Sequence, residues 1–310
     1  MQKLDGQLIT VLGGGGFLGR YVVQRLLARG ARVRIAQREP RAATFLKPLG
    51  GLGQTQFVAA DVRDPASVLR AVQDSDAVIN LVGAFGDMQA VQADGAGHVA
   101  AAAKAAGAGA LVHVSAIGAD RESASAYGRS KGDGEAAVRA VFADAAILRP
   151  SIIFGREDQF INRFAGLIRM SPVVPVIAPD AKFQPAYVGD VADAVVAALG
   201  SAAAGKIFEI GGPQVLTMRE LLRWIADATG RSPLFVEIPD FAASALASGF
   251  GWAPFAPITR DQWLMLQHDN VVASGAAGLA EFGIAPTSLA AVADGWLVQY
   301  RRHGRFAQTA

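Results

Sequence analysis

Cysteine is absent from the chain, and its absence excludes disulfides, thiolate nucleophiles and thiolate metal sites together. Histidine is scarce: His98, His113, His268 and His303 are the only ones and stand without ligand spacing, so no metal is expected. Charge is sparse at 18% of residues, and 29 basic against 27 acidic side chains leave a net +2, too little to indicate a nucleic-acid partner. Internal repeats and low-complexity linkers are missing. The first residues, MQKLDGQ, lack the apolar core and cleavage site of a signal peptide, which makes a cytoplasmic location the default expectation. One stretch raises a peripheral position at the inner face of the cell membrane. Residues 241–259, FAASALASGFGWAPFAPIT, carry no charge but are broken by Gly249, Gly251, Pro254 and Pro257, too weakly apolar for a spanning helix. That stretch reads either as a helix and loop packed on the domain or as a docking surface.

Apolar residues are abundant at 52%, so a sizeable core is expected across the 310 residues. The chain is organised around its first forty residues. Leu8 to Leu12 is a short strand-prone run, four glycines break it, and Phe17 to Leu27 returns apolar residues at helical spacing. Gly14, Gly16 and Gly19 satisfy G-x-G-x-x-G, and Gly13, Gly16 and Gly19 satisfy G-x-x-G-x-x-G. Between a strand and a helix, such a turn lets a diphosphate approach the backbone where a Cβ would collide. The helix that follows, opened by Phe17 and Leu18, aims unpaired N–H groups and the positive end of its dipole at the anion. A nicotinamide dinucleotide is the expected ligand.

Further strands are expected at ARVRIAQRE, at Gln56 to Val62, at Asp76 to Gly83, at ALVHVSAIG ending with Ser115, and at AAILRPSIIFG. Helices ending near Gln73, over Ala93 to Ala106 and over Tyr127 to Phe142 alternate with them. This order implies an α/β fold, a Rossmann-like doubly wound parallel sheet. The expected division is a nucleotide domain over residues 1–150 and a smaller α/β region over 151–310 interleaved with it, carrying substrate or partner contacts. In the second part, Ile161 to Met170 and the segment after Val188 read as helices, KIFEIGGP and PLFVEIPD as strands, and TMRELLRWIADATG as a helix capped by Thr217 with Glu220.

An acidic residue about 20 positions past the glycines marks NAD binders by holding the ribose hydroxyls. Here the second strand ends Ala36-Gln37-Arg38, with Arg41 and then Lys47 beyond. A guanidinium fork suits a 2′-phosphate, so NADP(H) is preferred, with NAD(H) open through Glu39. Asp61 and Val62 are placed for the adenine, Asp61 reading equally as a helix cap, and Val82 and Gly83 follow the fourth strand. Tyr127 and Lys131 form Y-x-x-x-K on one helix face, where a fixed cation favours the phenolate while the lysine also holds a ribose. Ser115, at a strand end, is placed to polarise the same substrate oxygen.

From the first strand to about Glu220 the chain resembles the extended and atypical short-chain dehydrogenase/reductase superfamily. The likeness rests on the glycine turn, Ser115, Tyr127 with Lys131, Arg149-Pro150-Ser151, Val188-Gly189-Asp190-Val191-Ala192 and Phe208-Glu209-Ile210-Gly211-Gly212-Pro213. It implies that Ser115, Tyr127 and Lys131 form a catalytic set, and that the exit of the sixth strand, with Pro150 and Ile153, passes the nicotinamide. A narrower likeness lies in ILRPSIIFGREDQFINRFA from Ile147, NLVG at Asn80 and ITRDQWLMLQHDNVV from Ile258, which resemble the nucleotide-binding accessory subunit family of respiratory complex I. That likeness implies tightly held NADPH with a structural or assembly role. Two readings stay open: a nucleotide-stabilised module whose C-terminal region, with Arg301, Arg302 and Arg305, contacts complex I subunits or the membrane surface; or a working oxidoreductase or epimerase acting on a carbonyl or alcohol.

Overall fold

A computed structural model describes residues 4–250, 258–302 and 304. The chain divides into two compact units: Met1–Pro150 with Val188–Ile210 and Ala273–Ala285, and Ser151–Tyr187 with Gly211–Val272 and Pro286–Ala310.

The first unit is built on β1 (Leu8–Leu12), β2 (Arg32–Gln37), β3 (Thr55–Ala59), β4 (Ala77–Asn80), β5 (Ala110–Val114), β6 (Ala146–Pro150) and a seventh strand, Ile207–Ile210. All run parallel, in the order Ile207–Ile210, β6, β5, β4, β1, β2, β3. The order reverses between β1 and β4, and in open parallel sheets ligands lie at that crevice beyond the strand ends. β4 is buried along its whole length, as a strand covered on both faces requires. Helices α1 (Phe17–Ala28), α2 (Pro65–Val72), α3 (Gly95–Ala105) and α4 (Ala126–Val141) alternate with the strands. Helix α1 packs with the helix Val188–Ala197, while α3 packs with α2 and α4.

The observed strands are shorter than the apolar runs that announce them. The run from Asp76 to Gly83 pairs only over Ala77–Asn80, because its last residues leave the sheet as loop. AAILRPSIIFG is two strands: β6 ends at Pro150, and Ile153–Phe154 pairs with Ala186–Tyr187 in the second unit. A 3-10 helix over Pro40–Leu49 and a π-helical turn over Gln89–Asp94 leading into α3 were not legible.

The second unit centres on the helix Met218–Ala228, where Thr217 and Glu220 form the expected capping box. Its apolar face joins Phe154, Ile161, Ile168 and Trp296 in one core. Leu234–Ile238 pairs in parallel with Val173–Ile177, a strand that Pro175 disguised in the sequence. The uncharged stretch begins inside a helix, Asp240–Phe250; residues 251–257 lie outside the described residues. No described helix is long and apolar enough to cross a membrane. Of the basic tail, Arg301 is committed within its own unit, donating to the Ala228 carbonyl and pairing with Asp294; Arg305 lies outside the described residues.

Candidate functional site

The glycine turn is closed by its own backbone. Gly13, at φ +78°, donates to the Ala36 carbonyl at 2.8 Å, and Gly16 donates to the Gly13 carbonyl at 3.0 Å. A Cβ on Gly19 would meet the Gly13 carbonyl oxygen and lie 2.6 Å from the Gly14 carbonyl carbon and oxygen. Gly19 therefore lets α1 seat against the turn. At Gly16 the sole near neighbour of an added Cβ is the Gly13 oxygen, at 3.1 Å. No side chain caps α1 at Gly16, and no acidic residue stands in the turn begun by Phe17 and Leu18. The helix thus presents uncompensated N–H groups and a positive dipole end, the requirement for holding a diphosphate. The tip of β4 borders this turn, with the Leu81 carbonyl carbon 3.4 Å and the Val82 side chain 3.5 Å from where a Gly13 Cβ would stand.

A residue that the motif search passed over braces the turn. Gln37, the last residue of β2, accepts the Gly15 N–H on Oε1 at 3.0 Å and donates from Nε2 to the Glu39 carbonyl at 2.6 Å. The tip of β2 therefore carries a pinned neutral carboxamide. Arg38 and Arg41 follow it, exposed, and neither guanidinium makes a hydrogen bond or ion pair with a described residue.

Asp61 is paired within its own loop. Its carboxylate takes a bidentate pair from Arg63, at 3.0 and 2.6 Å, and the hydrogen bond from Arg63 holds its pKa down at about 2. The helix cap there is Asp64, which accepts the Ala66 N–H, so the cap alternative for Asp61 falls. Val62 is buried, its carbonyl accepting from His98 Nδ1 at 2.8 Å. Val82 is half-buried with its N–H on Asn80 Oδ1, and Gly83 is exposed 3.7 Å, measured from its Cβ position, from Lys131 Nζ. Pro150 is buried and its carbonyl accepts the Ile117 N–H, whereas Ile153 belongs to the second unit.

Ser115, Tyr127 and Lys131 all belong to the first unit. Ser125 caps α4 by accepting the Gly128 N–H at 3.1 Å, which sets Tyr127 and Lys131 in its first two turns. Lys131 Nζ lies 5.9 Å from the Tyr127 ring centroid and donates to the Val114 carbonyl at 3.3 Å. Burial pulls the ammonium down to about 8, with Glu135 opposing. Burial likewise pushes the Tyr127 phenol up to about 12, and Phe85 stacks on its ring at 5.2 Å. Ser115 is buried, and its Oγ finds no partner among the described residues. An orphaned hydroxyl at a strand end fits a ligand that brings its own acceptors and donors.

Polar residues that sequence reasoning missed stand behind this set. Asn80 Oδ1 accepts the Val82 N–H, so its Nδ2 donates to His113 Nδ1 at 3.1 Å and the imidazole proton belongs on Nε2, a buried atom with no partner among the described residues. Burial, aided by the Lys131 charge, depresses His113 to about 3. Glu135, one turn beyond Lys131, takes a bidentate pair from Arg149 at 2.8 and 2.7 Å, and Arg149 stands 3.7 Å from Glu209. The signal for Glu135 was its i, i+4 spacing from Lys131; for His113 and Asn80 it was only their places near strand ends.

The sheet order, the glycine turn and the residues at the strand ends define a dinucleotide-fold protein. The model of the NAD dependent epimerase/dehydratase family matches residues 9–211. The chain belongs to that family and, within it, to the family of NADH dehydrogenase [ubiquinone] 1 alpha subcomplex subunit 9. To that mitochondrial subunit of Mus musculus it is 38% identical over 297 residues, 93% of this chain and 78% of the relative. It is 30% identical over 240 residues to the ceramide reductase of Caulobacter vibrioides, covering 75% of this chain and 74% of the relative. A solved structure of the NADPH-dependent quinone oxidoreductase of Escherichia coli complexed with NADPH shares the fold, with a TM-score of 0.74, 21% identity, and coverage of 91% and 97%.

Proposed function

We propose that this chain is an NADP(H)-holding subunit of a respiratory NADH dehydrogenase, in which the nucleotide stabilises the fold and the role is structural or in assembly. The observation that carries this reading is the near end-to-end similarity to subunit 9, at 38% identity over 93% of the chain. The geometry supports it. The turn at Gly13, Gly14, Gly16 and Gly19, with Phe17 and Leu18, would hold the diphosphate. Val62 and Val82 would flank the adenine side, Lys131 and Gly83 the nicotinamide ribose, and Pro150 the nicotinamide. The preference for NADP(H) rests on Arg38 and Arg41, uncommitted beyond a β2 tip whose side chain is the neutral amide of Gln37. Asp61 would contribute through its position beside Arg63 rather than as a free acceptor. A ligand that binds only the native state adds stability set by its concentration over its Kd, about 2.7 kcal/mol at a hundredfold excess.

When bound, the nicotinamide supplies hydride chemistry, and this sustains a second reading as an oxidoreductase or epimerase. The orphaned Ser115 Oγ favours it: Ser115 would orient a substrate oxygen, Tyr127 would exchange a proton with it, and Lys131 would tune the phenol. The structural reading is preferred on the similarity to subunit 9, at 38% identity over 93% of the chain. The test is to identify co-purifying nucleotide by mass spectrometry and to follow its oxidation with a carbonyl and quinone panel. Bound NADPH without turnover, and failure of respiratory-complex assembly on deletion, is the expected result. Turnover that Tyr127→Phe abolishes while binding persists would overturn it.

A further inference from the structure

Apart from Arg41, the segment after β2 carries a surface that the nucleotide site does not use. In a 3-10 helix, side chains three residues apart eclipse one another, so Pro40–Leu49 presents three ridges. Ala43 and Leu46 form the buried one. Arg41, Thr44 and Lys47 make a second ridge, and Ala42, Phe45 and Pro48 a third; all six are exposed. Cations therefore run alongside apolar side chains on the same outward surface. Leu49 closes the helix in register with the buried ridge yet is itself exposed, and Leu52 beyond it stands in Gly50-Gly51-Leu52-Gly53 with its side chain wholly in solvent. Phe45 and Leu49 are each about half exposed, at 48% and 47%. Large apolar side chains grouped in this way on a surface mark an interaction site.

Charge selects the occupant. Residues 38–53 hold Arg38, Arg41 and Lys47 against Glu39 alone, a formal +2 that equals the net charge of the whole chain. A second copy of the same surface would be repelled, whereas an anionic lipid surface is complementary to both ridges. A leucine on a glycine-flanked tip suits a fluid headgroup layer, which needs no shaped pocket.

We propose that the exposed ridges of Pro40–Leu49 together with the Leu52 tip dock on an anionic bilayer, Leu52 and Phe45 entering the headgroup layer while Arg41 and Lys47 face lipid phosphates. The inference shares Arg41 with the nucleotide reading, so the test substitutions fall on Leu52 and Lys47, which that reading does not use. The experiment is co-sedimentation of the full chain with vesicles of phosphatidylglycerol and phosphatidylcholine, against phosphatidylcholine alone, at low and high salt. Anionic vesicles should bind at least about tenfold more tightly, and salt should weaken the binding. Leu52→Glu and Lys47→Glu should each lower the bound fraction several-fold and leave the thermal shift by NADPH unchanged; neither side chain is packed, so folding is retained. Equal binding to neutral and anionic vesicles, or wild-type binding by Leu52→Glu, would overturn the proposal. So would a dimer, seen by analytical ultracentrifugation, that Leu52→Glu dissociates.

Discussion

The last two glycines of the turn serve different ends, and single methyl groups separate them. At Gly19 an added Cβ would lie 2.6 Å from two backbone atoms of Gly14, which cannot rotate away, so α1 and the turn must move apart. Overpacking of this kind costs about 1–3 kcal/mol, of which alanine's helix propensity returns up to about 1 kcal/mol. Gly19→Ala should therefore lower the stability of the nucleotide-free protein by roughly 1–2 kcal/mol. At Gly16 the nearest atom is 3.1 Å away and φ is −72°, a value open to any residue. The poorer N-cap and the stiffer unfolded chain offset each other, leaving a change within about 1 kcal/mol. The Gly16 methyl stands where a diphosphate would approach, so affinity for NADPH should fall at least about tenfold, or about 1.4 kcal/mol. Urea denaturation at a shared m-value reads the first quantity and the NADPH-induced rise in Tm the second. The reasoning fails if Gly16→Ala binds NADPH as wild type does, or if Gly19→Ala unfolds at the wild-type urea midpoint.

Other outcomes follow from charge. Arg38→Ala should weaken NADPH far more than NADH in a fluorescence titration; equal losses would defeat the 2′-phosphate assignment. Arg149→Ala should destabilise by about 3–5 kcal/mol, because it strands the buried Glu135 carboxylate, and adding Glu135→Gln should recover much of that loss in the same denaturation assay. His113 titrates near 3 in the fold and near 6.5 when unfolded, so below pH 6.5 the unfolded chain holds the extra proton. Stability should fall by up to about 1.4 kcal/mol per pH unit from 6.5 down toward 3, and a substitution such as His113→Gln should flatten that slope.

The sheet was legible because parallel strands buried on both faces announce themselves as apolar runs, as AVIN in β4 does. The glycine turn was legible for a similar reason, since close backbone approach leaves no room for a Cβ at Gly19. Strand ends were not, because pairing stops where the partner ends and not where hydrophobicity does. Gln37 was invisible as a brace: a carboxamide at a strand tip carries no pattern, and only the fold brings it over Gly15. The apolar residues of Pro40–Leu49 recur every three, not every three and a half, so a search tuned to α-helices passes over them. Arg63 gives no sign in sequence that it will fold back on Asp61, two residues before it, in a bidentate pair.

The presence of Ser115, Tyr127 and Lys131 together does not argue for turnover, and the structure supplies the physical reason. Lys131 is tied to the Val114 carbonyl and lies in the field of Glu135, which is clamped by Arg149, itself beside Glu209. That line joins β5, α4, β6 and the strand Ile207–Ile210, so the lysine is accounted for by architecture before any substrate is considered. Ser115 is fixed through its backbone, its N–H on the Leu148 carbonyl at 2.7 Å, and needs no catalytic duty to stay in place. Tyr127 is different, since its phenolic oxygen can be removed while the ring keeps its stack on Phe85. Tyr127→Phe is therefore the substitution that separates proton transfer from scaffold. A nucleotide-loaded protein indifferent to it is a structural subunit, whatever the completeness of its catalytic set.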